Sequence, residues 1–275
     1  MPVATIDHRE EFEEQGYTTA RGFFSKEEMD GLIHDIRTAD PKNPQPSGLN
    51  KGELIFYSNI FFRSKKLQDF ISQPRLVDFL KQVIGPDFWA RWDQAVFKGP
   101  GSGEFPWHQD NAYNFLKDQH FQLWIALSKM NHERGGLWLL PGSHKNGLLP
   151  HKTVGTHMAY NGPTDKAVCL EAEVGDVVLF SSLMLHYTAP NASVYDRWAY
   201  VVEYMNLDHY DPYIKPPFFV VAQNGKSRPE FVRHYRGSLR PMNHVKYFVP
   251  RLKRSVGGVR SLLGRGLRAI RGHEA

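Results

Sequence analysis

Apolar positions in this chain follow two periods. Near the N-terminus they recur every three to four residues. Ser25 with Glu28 three residues on has the form of a capping box, and Met29, Leu32, Ile33 and Ile36 follow at helical spacing, predicting a helix from about Lys26 to Arg37. Pro41, Pro44 and Pro46 with Ser47 and Gly48 mark a loop. The stretch Leu67–Ile84 is again helical, with Pro74 as an internal start. From Trp92 the period shortens. Runs rich in β-branched and aromatic residues, punctuated by Gly, Pro, Asn and Asp, predict strands at Trp92–Lys98, Phe121–Ser128, Gly136–Leu140, Ala167–Glu173, Asp176–Phe180, Met184–Tyr187 and Arg197–Asn206. Seven short strands without intervening helices predict an α+β, mainly β architecture of the jelly-roll or cupin type, not βαβ repeats. The pattern assigns no element to Pro212–Pro250.

Composition bounds this picture without changing it. At 275 residues, 41% hydrophobic and 13% aromatic, the chain can bury a substantial core. No run approaches the roughly 20 apolar residues of a membrane span, and the start MPVATIDHREEFEEQ lacks the basic and apolar regions of a secretory signal, so a cytoplasmic location is expected. The single Cys169, within the apolar run AVCLEAEV, is expected to be a buried inert thiol. The net charge of +5 is uneven: Val245–Ala275 carries eight basic residues against Glu274, an excess of +7, which leaves −2 on residues 1–244. Basicity belongs to the tail, and no nucleic-acid partner is expected.

Chemistry concentrates around Trp107-His108-Gln109-Asp110, after the Gly/Pro-rich loop Gly99–Pro106. At a strand end, His-x-Asp places two side chains on one face. Non-haem Fe(II) enzymes hold their metal with two His and one carboxylate and keep other positions open. On its own the usual reading of the pair is a surface loop or an N-cap. A third ligand candidate is His186, which ends the apolar stretch Gly175–His186, although a His there is commonly a hydrogen-bonded core residue. Arg197, eleven residues later, begins the next predicted strand, so a hairpin could aim its forked donors at a carboxylate in the cavity that His186 faces.

These segments, in order, resemble the phytanoyl-CoA dioxygenase family of Fe(II)/2-oxoglutarate oxygenases. The resemblance runs from about Phe12 to Met205 and rests on FEEQGYTTARGFFSKEEMDGL, the HQD triplet, ERGGLWLLPGSH, GDVVLF, and LHYTAPN followed by Arg197. It implies a double-stranded β-helix with N-terminal helices packed on it. It also implies His108, Asp110 and His186 as metal ligands, Arg197 as the 2-oxoglutarate clamp, and Gln94, Gln109 and Trp124 as further cosubstrate contacts. The implied reaction consumes O2 and 2-oxoglutarate, releases succinate and CO2, and hydroxylates an unactivated C–H bond of a small organic or lipid-like substrate. Related halogenases lack the carboxylate, so Asp110 favours hydroxylation. The expected organisation is one oxygenase domain over 1–244, with helices in 1–90, the β-helix core in 91–210 and a loop-rich segment in 211–244, followed by a basic tail over 245–275.

Other features are discounted or left open. GGLWLLPGSH lacks the Gly-Lys-Ser/Thr ending of a phosphate loop and reads as turns around a core strand. His132, His144, His151 and His157 have no spacing that argues for a second metal, though His144 could line the substrate mouth. Phe105, Trp107, Tyr113 and Phe115 suggest an apolar lid or core packing. In the tail, Leu252, Val256, Val259, Leu263, Leu267 and Ile270 share one helical side, a pattern suited to peripheral contact with the inner face of a membrane or to acidic partners, the alternatives being a disordered tail or a helix docked on its own domain. Its five glycines weaken a helix by up to about 1 kcal/mol each. Two competing readings are a catalytically silent β-helix binding module and a membrane-associated interaction protein acting through the tail.

Overall fold

The computed structural model describes residues 7–43, 52–114 and 116–247. Phe115, most of the proline loop and residues 248–275 of the basic tail lie outside them. The chain opens with α1 (His8–Gln15), β1 (Tyr17–Ala20), α2 (Lys26–Ala39), β2 (Leu54–Ser58), α3 (Lys65–Ile71) and α4 (Pro74–Ile84). The Ser25–Glu28 capping box is present, and Pro74 does start a helix, with α3 separate before it. There follow β3 (Phe88–Lys98), β4 (Phe105–His108), α5 (Asn111–Asn114), β5 (Phe121–Ala126), β6 (Leu137–Leu139), β7 (Lys152–Val154), β8 (His157–Ala159) and β9 (Val168–Leu170). The chain continues through β10 (Val177–Ser181), β11 (His186–Thr188), β12 (Arg197–Asn206), β13 (Phe218–Gln223), β14 (Lys226–Val232) and α6 (Arg236–Leu239), and residues 241–247 are helical.

Two sheets face each other, as in a jelly roll that does not close into a barrel. The larger has the order β1-β10-β5-β12-β3-β13-β14, with β2 also paired to β3, and the smaller has the order β4-β11-β6-β9. Alternation along the large sheet sorts its side chains. Tyr57, Phe97, Leu123, Ile125, Leu179, Tyr200 and Val202 pack under the helices with Met29, Leu32, Ile36, Leu67 and Leu80. Their neighbours Trp124, Ala126, Val178, Phe180 and Ala199 turn inward against Leu137 and Leu139 of the small sheet. Covering both faces explains why β5, β10 and β12 read as nearly continuous apolar runs. The helix layer is fixed to this sheet partly at Gly175, whose φ is +88° and where a Cβ would stand 1.9 Å from the Phe24 carbonyl oxygen. No L side chain fits there.

Two expectations need correction. The two strands predicted within Gly175–His186 are present but lie in different sheets, β10 in the large one and β11 in the small one. β11 and β12 therefore form no hairpin; the chain crosses between sheets through residues 189–196. The segment 211–244 is not simply loop-rich, since β13 pairs with β3 and completes the large sheet with β14. Its apolar strand FFVVAQ was hidden by the flanking prolines and by β14, which is largely exposed. Among the described residues no helix is long and apolar enough to cross a membrane.

Candidate active site

The same alternation lines a cavity of about 670 Å3 between the sheets. Leu54 and Phe56 of β2, Trp92, Gln94, Val96 and Lys98 of β3, Gln122 and Trp124 of β5, and Arg197, Val201 and Glu203 of β12 all face it. His108, Asp110 and His186 close it from the small-sheet side.

Pairing of β4 with β11 makes His108 and His186 direct partners, with ring centroids 4.0 Å apart. Each ring is oriented by its own backbone: His108 Nδ1–H donates to the Pro106 carbonyl at 2.7 Å and His186 Nδ1–H to the Met184 carbonyl at 3.0 Å. A carbonyl only accepts, so the proton of each neutral ring sits on Nδ1 and each Nε2 presents a bare lone pair. Those Nε2 atoms face Asp110 Oδ1 at 3.5 and 3.8 Å. Asp110 is not on the strand, as the alternation argument required. It sits in the turn after β4, held by the Tyr113 N–H on its carbonyl, and its Oδ2 is buried without a partner. Burial opposes ionisation of Asp110, but His186 and His108 outweigh it and hold the carboxyl below the usual range. Burial, and then His108, pull His186 down to about 4, so its ring stays neutral at physiological pH. Three ligand atoms within 4.8 Å of one another form a cation site. Two nitrogens and one carboxylate oxygen suit Fe(II).

Toward one end of the cavity lies Arg197, 1% exposed. Its Nε donates to the Gly135 carbonyl at 3.0 Å, its guanidinium stands 5.5 Å from the Trp124 ring centroid, and its Nη2 is buried without a partner. Arg197 thus reaches the cavity as expected, but from the sheet opposite His186. Gly135 supplies that carbonyl from a left-handed conformation, φ +59°. Trp124 forms the wall beneath the guanidinium. Gln94 also lines the cavity, with its Nε2 donating to Ser58 Oγ at 2.8 Å.

Gln109 does not reach the cavity. Its Nε2 donates to the Gly147 and Leu183 carbonyls and its Oε1 accepts from Leu149 N–H, so the amide ties two loops together behind the metal ligands. Gln109 lies one residue past the end of β4, so its direction is set by these loop contacts and not by strand alternation. His144 lies away from the mouth against Gly16 and Phe12. His151 accepts the Gln109 N–H, whereas His157 lines the cavity beside Phe105. Phe105 and Tyr113 line the cavity too, while Trp107 stacks on Tyr187. Cys169 is half-buried, with burial first and Glu171 second pushing its thiol up to about 11, which fits an inert role.

Sequence reading missed Lys98, Gln122, Arg91 and Glu203. Arg91 bridges Glu203 and Asp211 in a buried ion cluster at the cavity wall, and His120 Nε2 lies 3.5 Å from Glu203. Lys98, Gln122 and Glu203 sit in strands already recognised, whereas Arg91 precedes the predicted start at Trp92 because β3 begins at Phe88; the pairing of these strands was the missing signal.

A jelly-roll cavity holding two imidazoles, a carboxylate and a buried guanidinium is the arrangement of a non-haem iron oxygenase. The family model for phytanoyl-CoA dioxygenase (PhyH) matches residues 12–199, more than half of the sequence, and the chain belongs to that family. It is similar to a probable alpha-ketoglutarate-dependent hypophosphite dioxygenase of Stutzerimonas stutzeri, 25% identical over 74% of this chain and 79% of that protein. It is also similar to human peroxisomal phytanoyl-CoA dioxygenase, 26% identical over 76% and 70%. Among solved structures, the non-heme monooxygenase ThoJ superposes with a TM-score of 0.66 at 17% identity, covering 93% of this chain and 100% of that one. EvdO2 of Micromonospora carbonacea var. aurantiaca, complexed with 2-oxoglutarate, superposes at 0.59 with 23% identity, covering 74% and 92%. The protein is an iron- and 2-oxoglutarate-dependent dioxygenase with a small-molecule substrate.

Proposed function

We propose that His108, Asp110 and His186 hold the iron, that Arg197 fixes the distal carboxylate of 2-oxoglutarate, and that the enzyme hydroxylates a C–H bond of an organic substrate. One observation carries this reading: two Nε2 lone pairs, fixed by the Nδ1–H bonds to Pro106 and Met184, converge on the Asp110 carboxylate, whose Oδ2 is buried without a partner. Bound iron and 2-oxoglutarate supply the oxidising chemistry, coupling oxidative decarboxylation to succinate and CO2 with oxygen transfer. The chain's own residues bind, orient and exclude water. Arg197 provides the fork of donors, Trp124 and Leu137 wall the cosubstrate from solvent, and Asp110 completes the ligand set, which favours hydroxylation over halogenation.

The substrate occupies the remaining cavity, bounded by Phe56, Phe105, Tyr113, Tyr213 and Ile214, with Arg91 and Glu203 at its wall. That mostly apolar lining favours an organic body over an ion as small as hypophosphite. Incubation of the iron-loaded enzyme with 2-oxoglutarate, O2 and a library of carboxylic, acyl-thioester and amine substrates tests this. Succinate matched by a product one oxygen heavier supports hydroxylation; succinate at the same rate with every compound and no oxygenated product contradicts it. A cytoplasmic location with peripheral contact at the inner face of a membrane is also proposed. The basic tail pattern supports it, as do Leu239 and Met242, exposed just before the tail, and Val245, exposed at its start. Flotation with anionic liposomes that is unchanged by deleting 248–275 would refute it.

A further inference from the structure

The two longest strands set two cations side by side. Lys98 and Arg197 are direct Cα partners across β3 and β12. Such partners present their side chains on one face, and like charges there destabilise a sheet. Burial makes the placement worse, because Lys98 is 0% and Arg197 1% exposed. Lys98 Nζ donates only to neutral acceptors, the Ala189 carbonyl at 2.8 Å and the Thr188 carbonyl at 3.2 Å. Arg197 has one backbone acceptor and an unpartnered Nη2. Among the described residues neither cation forms an ion pair, yet both line the cavity. A buried guanidinium and a buried amine on one wall, neither with a counter-charge, are costly to fold, and a chain bears that cost where an anion is to be bound.

We propose that Lys98 is a second cosubstrate-binding residue, forming with Arg197 a two-cation pole for the distal carboxylate of 2-oxoglutarate. The inference rests on the reading of Arg197 given above. It adds a consequence that Arg197 alone lacks. Burial first and Arg197 second pull Lys98 down to about 6. Glu104, from the loop before β4, acts the other way; β2 presents Leu54 opposite, and residues 188 and 189 present carbonyls. With the cavity empty, Lys98 is therefore mostly neutral above pH 7. An entering carboxylate supplies the missing counter-charge and favours the ammonium, so Lys98 takes a proton from solvent as the cosubstrate binds. The competing role is structural: Lys98 as a latch on the 188–189 carbonyls.

The test is calorimetric titration of 2-oxoglutarate into the Mn(II)-loaded full chain at pH 7.5, in two buffers of different ionisation enthalpy, with thermal melts of each variant. Wild type should take up a large fraction of a proton per cosubstrate, and its affinity should fall as pH rises from 7 to 9. Lys98→Met should bind at least about tenfold more weakly, the loss of one charge-assisted hydrogen bond, with no proton uptake and no loss of melting temperature in the cosubstrate-free protein. Lys98→Arg, always charged, should recover affinity without recovering uptake. Affinity of Lys98→Met within threefold of wild type, or uptake that persists in it, overturns the proposal while leaving Arg197 as the clamp. A lowered melt with unchanged affinity assigns the latch role instead. Wild type that fails to bind 2-oxoglutarate overturns both readings.

Discussion

Replacing Arg91 with methionine should strip the single cation from a buried pair of carboxylates. The side chains of Arg91 and Glu203 are each 8% exposed and that of Asp211 is 0% exposed. Neighbouring His120 brings no compensating charge, because burial pulls it down to about 3. Removing one partner of such a cluster costs about 3–5 kcal/mol, since the stranded charges stay buried. For a chain of this size, about 2–4 °C of melting temperature per kcal/mol gives a loss of roughly 6–20 °C. The deficit should depend on pH. Burial already raises the Glu203 carboxyl and Arg91 opposes that rise, so without Arg91 its folded pKa climbs further above the unfolded value. Stability contributed by a raised carboxyl is lost as pH rises through the folded pKa, so the loss should be larger at pH 8 than at pH 5.5. Thermal melts of Arg91→Met at both pH values check this, and adding Glu203→Gln should restore part of the loss by removing one stranded charge. A melting temperature within about 2 °C of wild type at pH 8, or a pH-independent loss, would refute the reasoning. The same substitution should loosen the substrate wall, since Asp211 also accepts the N–H of Tyr213, which lines the cavity.

Arg197→Met should weaken 2-oxoglutarate binding by at least about 100-fold, the cost of losing a forked, desolvated carboxylate partner, with little loss of stability because its charge is uncompensated in the empty cavity. Equilibrium titration of the Mn(II)-loaded variant measures it, and a change under threefold would exclude the clamp role. Acid sensitivity should trace in part to His120, held at about 3 against an ordinary 6.5. The unfolded chain takes that proton first, so stability is lost as pH falls through about 6.5 toward 3, and His120→Leu should flatten the melt-against-pH curve in that window. An unchanged slope would show that His120 is not responsible. Gly175→Ala should destabilise by about 3 kcal/mol or more, because its Cβ meets the Phe24 carbonyl in a left-handed backbone, and soluble yield with melting temperature reports it.

Local signals in the sequence were sufficient for α2, α4 and β12, whose caps, proline start and apolar run match the structure almost to the residue. They were also sufficient to nominate His108, Asp110, His186 and Arg197. Local period failed where geometry is set by a distant partner. Asp110 reaches the imidazoles from a turn, not by strand alternation, and Gln109 points away into the loops it ties. Arg197 enters from the opposite sheet, because 189–196 crosses between sheets and does not turn a hairpin. The Lys98 and Arg91 contacts depend on the β3–β12 register, which neither strand encodes alone. The β13–β14 hairpin escaped because prolines flank a strand whose partner is mostly exposed, so burial, the usual pattern-setter, acts on only one of the two.

The central claim is that His108, Asp110 and His186 hold an iron that 2-oxoglutarate then chelates. Mixing the metal-free protein anaerobically with Fe(II) and 2-oxoglutarate should give the weak visible charge-transfer band of that chelate, and His108→Ala and His186→Ala should abolish it while remaining folded by circular dichroism. A wild-type protein without the band, or folded variants that retain it, would contradict the assignment.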